Sequence, residues 1–146
     1  MATITEDYVS FDLAKLLKEK GFDEPCHCFY EYRKRLYNDM DKYFPDGMKN
    51  SDHDKEGNKG VSAPTLQMAM KWLREVHNLS VEVYRTACGY IGCIVAIPSG
   101  TDIKFLEEDG DDLPSGTYTK YEYACNAAIK YCLEKLENRN KQIDEL

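Results

Sequence analysis

The chain has 146 residues, 42% hydrophobic and 31% charged, with a net charge of −7. This length suits a single domain with a sizeable core, and the longest apolar run, Ile94 to Ile97, is far too short to cross a bilayer. The acidity argues against nucleic-acid binding, because phosphate-backbone binders carry clustered Lys and Arg; the one basic run, Arg33-Lys34-Arg35, reads as a solvated strand end.

The first residues, Met1 to Tyr8, include Glu6 and Asp7 and lack a basic head followed by an apolar stretch, so the expected location is cytoplasmic, with no membrane association. In that reducing compartment the six cysteines, Cys26, Cys28, Cys88, Cys93, Cys125 and Cys132, are expected to be free thiols.

In chain order, Ser10 is a candidate cap for a short helix carrying Leu13, Leu16 and Leu17, and Gly21 supplies the positive φ that ends it, with Phe22 folding back. After Pro25, the residues Cys26, Cys28, Tyr30 and Tyr32 alternate with His27, Phe29, Glu31 and Arg33, the period of a strand. From about 38 to 61 the composition turns polar and the apolar residues lose any period, which predicts a flexible insertion. Ser62 and Pro64 then predict the start of a helix whose core face is Leu66, Ala69, Met70, Leu73 and Val76. Asn78 stops it, and Leu79, Val81 and Val83 alternate with Ser80, Glu82 and Tyr84 in a strand. Ala87-Cys88-Gly89 turns the chain into a second strand, Tyr90 to Ile97, Pro98-Ser99-Gly100 turns it again, and Ile103 and Phe105 suggest a third strand. Thr119 with Glu122 reads as a capping box opening a last helix, where Tyr121, Cys125, Ala128, Cys132 and Leu136 share a face and the polar tail after Glu137 frays. The two Lys/Leu/Glu-rich pentapeptides Lys15–Glu19 and Lys71–Glu75 are too cheap in any helix to signal a repeat. The predicted class is α+β: a small, mainly antiparallel sheet of three to four strands with three helices packed on one face.

The most site-like cluster is Cys26-His27-Cys28, which with Cys88 and Cys93 offers four sulfurs. Alternation nevertheless sends His27 to the opposite side from the two thiols, and the spacings are not those of common zinc modules. A cysteine nucleophile needs a base. Of the three histidines, His53 lies in the polar segment and His77 at a helix C-terminus, where the dipole favours a cation. Asp52-x-Asp54-x-Glu56-Gly57 opens like a calcium loop, but Ala63 stands where a bidentate Glu is required, and Glu107 to Asp112 reads as a solvated acidic turn. No catalytic, cofactor-binding or metal-ligating residue is assigned, and no cofactor is expected. The eleven tyrosines are numerous, and Tyr37, Tyr43 and Phe44, in and beside the polar segment, are the candidate interaction surface, since such side chains bury much area while keeping a polar tip.

The segments Tyr8 to Cys26, Ala63 to Val76 and Thr117 to Leu136 resemble a family of small uncharacterised proteins carried by phages and mobile elements of gut Bacteroidetes. The resemblance covers a little under half of the chain, all of it scaffold, and it implies no activity and no site residue. The expected function is therefore non-enzymatic, a protein-interaction or regulatory role with an unknown protein partner or self-association. A small metal-binding protein or enzyme using Cys26, His27 and Cys28 is the alternative.

Overall fold

A computed structural model describes residues 4–31, 35–37, 45–55, 60–106 and 117–144. The architecture is α+β, with two three-stranded antiparallel sheets in place of the single sheet expected. The chain divides into two compact units, Met1–Gln67 and Met68–Leu146. Among the described residues no helix is long and apolar enough to cross a membrane.

In the first unit, α1 (Phe11–Glu19) starts at Ser10, whose Oγ accepts from the Leu13 N–H at 3.2 Å. It ends as expected: Gly21 has φ 95°, Phe22 N–H reaches Leu17 O at 2.9 Å, and Gly21 N–H reaches Lys18 O at 3.1 Å. That double closure is the Schellman pattern, and it drives Phe22 and Leu17 into the core. β1 (Phe29–Tyr30) is flanked by β2 (Leu36–Tyr37) and β3 (Val61–Ser62), both antiparallel to it. Helix α2 (Asn50–Lys55) and α1 both lie against β3.

Two expectations are corrected here. The polar segment is not structureless throughout, because its second half supplies α2 and β3 and buries Met48, Asn50 and His53. Ser62 does not cap the next helix; it sits in β3 at 1% exposure, its hydroxyl donating to Met48 O. Helix α3 (Leu66–His77) begins four residues later, where the Tyr8/Thr65 bridge and the Leu66 N–H bond to Asp7 O organise the approach. Pairing with a distant segment takes precedence over the local capping signal.

The remainder of α3 opens the second unit. Ala69, Met70, Trp72 and Leu73 are buried, whereas Val76 is 53% exposed, so the core face stops one turn earlier than its period suggests. Asn78, at φ 56°, reverses the chain into β4 (Leu79–Arg85). β5 (Tyr90–Ala96) pairs with β4 along its whole length and with β6 (Asp102–Leu106), with a bulge between Ile94 and Val95. Helix α4 (Tyr121–Asp144) packs on all three strands. Ala124, Cys125, Ala128, Ile129, Cys132 and Leu133 form its buried stripe, and the helix continues through the polar tail expected to fray. Helices α1 and α2 thus lie against the first sheet and α4 against the second.

Candidate functional site

Among the described residues β2 is an edge strand, and its Tyr37 is the one residue of the predicted interaction surface with a described position; Tyr43 and Phe44 lie outside the described residues. The Tyr37 ring stacks on Phe29 at 5.3 Å and 22°, as cross-strand register places the two opposite each other. The Arg35 guanidinium lies 5.2 Å from the Tyr37 ring centroid, and the Tyr37 hydroxyl donates to Glu31 Oε2 at 3.2 Å. Phe29 in turn leans on His53 at 4.9 Å. The hairpin end is therefore a half-buried aromatic stack covered by a cation and held by a carboxylate. Aromatic side chains of this kind, with a large ring and a polar tip, are enriched where proteins meet.

Cys26, His27 and Cys28 keep the predicted alternation. The two thiols are 8% and 5% exposed and His27 points to solvent. Burial pushes the Cys26 thiol up to about 12, with Cys28 and Glu24 adding to the rise and a hydrogen bond with Ser62 opposing it. Such a thiol is protonated at neutral pH and is no nucleophile by itself. Among the described residues no three His, Cys, Asp or Glu side chains gather into a metal-binding group.

The residue missed by the sequence reading is Met48. Cys26 N–H bonds Met48 O at 2.9 Å and Met48 N–H bonds Cys26 O at 2.8 Å, which pins this methionine directly across from Cys26. Gly47 makes that approach possible: φ is 78°, and a Cβ there would come within 3.1 Å of Cys26 N and of Pro25 Cβ. The Asp46-Gly47 pair was the available turn signal.

The other candidates have structural roles. Asp52 Oδ2 accepts from Lys49 N–H at the start of α2, and Asp54 Oδ1 pairs with Lys18 Nζ at 2.7 Å, so the calcium-like run is helical at these two residues. Glu56, Gly57 and the Glu107 to Asp112 turn lie outside the described residues. At His77 burial lowers the pKa, which opposes the helix-terminal cation expected there, and the ring meets Trp72 edge-on at 4.7 Å. Cys125 and Cys132 are buried on one face of α4 as predicted, and burial pushes Cys132 up to about 12.

All six cysteines are free thiols, and only Cys88 is exposed. At neutral pH a disulfide reagent should modify Cys88 rapidly in the folded protein and all six thiols after unfolding, as counted by released chromophore and mapped by mass spectrometry. Rapid modification of a second thiol would contradict the burial. Neither a protein-family model, nor a curated protein, nor a solved structure matches the chain.

Proposed function

We propose that the chain is a non-enzymatic protein-interaction or regulatory protein of phage or mobile-element origin, acting in the cytoplasm through the end of the β1–β2 hairpin. The observation that carries this reading is the ordered stack of Tyr37 on Phe29, with Arg35 over the ring, on an edge strand. An edge strand presents unpaired backbone groups, and rings fixed before binding lose little entropy when a partner covers them. The sequence continues from Tyr37 towards Tyr43 and Phe44, which adds two more aromatic residues to the same stretch of chain.

The test is capture from host lysate with quantitative mass spectrometry, comparing the wild-type protein with a Tyr37→Ala, Tyr43→Ala, Phe44→Ala variant. Deleting the whole polar segment would remove Met48, Asn50 and His53 from the core and confuse binding with folding. A stoichiometric partner should be lost in the variant, with affinity for the purified partner falling by about tenfold or more if the aromatic residues are binding hot spots. A partner retained equally by a folded variant would sink the proposal, as would concentration-dependent self-association of both proteins with no other protein bound.

A further inference from the structure

We propose that Cys26, Cys28 and Met48 form a binding site for a soft monovalent metal cation, Cu(I), in which the methionine thioether takes the place that the sequence offers to His27. The reasoning starts from placement. Cys26 and Met48 exchange both backbone hydrogen bonds, so they are directly opposed residues of an antiparallel pair. Opposed side chains lie on the same face with Cβ atoms about 4.5–5.5 Å apart. Cys28, two residues along, is buried like Cys26 while His27 between them is exposed, so alternation places it on that face as well. Three sulfur-bearing side chains, at 8%, 5% and 5% exposure, thus face the same way on two paired segments, while the imidazole of His27 is exposed on the other side.

The donor set selects the metal. Thiolates and a thioether are soft ligands that suit Cu(I), whereas zinc sites take four ligands from Cys, His and carboxylates, and the described residues assemble no such group. A methionine in place of a histidine favours the monovalent ion further, because a thioether sulfur is softer and more polarizable than an imidazole nitrogen. Binding converts thiol to thiolate and releases the proton to solvent, so affinity falls as pH falls. Ser62 is placed to help. Its hydroxyl donates to Met48 O at 3.3 Å, which ties β3 to the segment that carries Met48. Gly47 is the device that builds the site, since its left-handed turn and close approach carry Met48 alongside Cys26.

The experiment is an anaerobic Cu(I) titration of the full chain carrying Cys88→Ser, which removes the exposed thiol, against a competing chromogenic chelator. One equivalent should be retained, and X-ray absorption at the copper edge should show sulfur neighbours only. Cys28→Ser should weaken retention by at least about tenfold, the lower end of what even outer partners of a metal ligand contribute. Met48→Leu should weaken it less, and His27→Ala should leave it unchanged. Failure of the Cys88→Ser protein to retain copper, or nitrogen in the copper shell, would overturn the assignment. The absorption spectrum needs no site variant, so it decides the matter even if Cys28→Ser does not fold.

Discussion

Replacing Asn50 with Ala should destabilise the protein by about 2–6 kcal/mol, because two buried backbone groups then lose their partner at about 1–3 kcal/mol each. Asn50 is 4% exposed; its Nδ2 donates to Phe22 O at 2.7 Å and its Oδ1 accepts from Ser62 N–H at 2.8 Å. One amide side chain therefore ties the end of α1 to β3, at two residues, Phe22 and Ser62, that are each 1% exposed. Urea unfolding followed by far-ultraviolet circular dichroism measures the loss. Asn50→Asp sharpens the test. The introduced carboxylate can still accept from Ser62 but sets a buried charge against Phe22 O, so its pKa is raised and the variant is least stable at neutral pH. Protonation restores a donor, so the deficit relative to wild type should shrink as pH falls through the carboxyl's folded pKa. A deficit independent of pH, or an Ala variant within about 0.5 kcal/mol of wild type as for an ordinary surface change, would show that the amide does not hold these elements together.

The second large effect is expected at Gly89. A Cβ there would lie 2.5 Å from Thr117 Oγ1 and 2.7 Å from Tyr118 O. Neither neighbour can yield freely. Thr117 is 1% exposed and donates to Cys88 O at 3.1 Å, while Tyr118 and Tyr90 exchange backbone bonds of 2.8 Å. This is the point where the residues leading into α4 are stitched to the β4–β5 turn, with Tyr90 and Tyr121 meeting edge to face at 5.9 Å. Gly89→Ala should cost about 2–3 kcal/mol, in the upper range for overpacking a filled site. Gly100→Ala makes the comparison useful. Gly100 has φ 74°, and nothing lies within 4 Å of a Cβ there, so it reports backbone strain without a clash. Equal losses at the two positions in thermal unfolding would remove the steric explanation.

Elements whose signals are local were legible in the sequence. Ser10 and Gly21 bracket α1, Asn78 divides α3 from β4, and the β4–β5 register follows from alternation across the Ala87-Cys88-Gly89 turn. What was not legible depends on distant partners. The α2 sequence, Asn50 to Lys55, has no apolar period; it is a helix because Asp52 closes back on Lys49 N–H, Asp23 accepts from Ser51 N–H, and His53 is buried beside Phe29. Ser62 looked like a cap because its local chemistry is that of a cap, and only pairing with Phe29 makes it a strand residue. The candidate sites divide in the same way. The alternation of Cys26, His27 and Cys28 was readable, but the methionine that faces Cys26 arrives from 22 positions along the chain, across a turn whose geometry only the fold reveals.

The two sheets also differ in how far the chain must travel to close them. β4, β5 and β6 are consecutive and joined by short turns, so each pairing adds to one just made. β1 must instead wait for β3, since Phe29 pairs with Ser62 and Tyr30 with Val61, and closing a longer loop costs more entropy before any contact compensates it. Synthesis runs in the opposite order. The residues that emerge first belong to the sheet that completes more slowly, and in that interval Cys26, Cys28 and Met48 are more open to oxidants than in the finished fold, where each is at most 8% exposed.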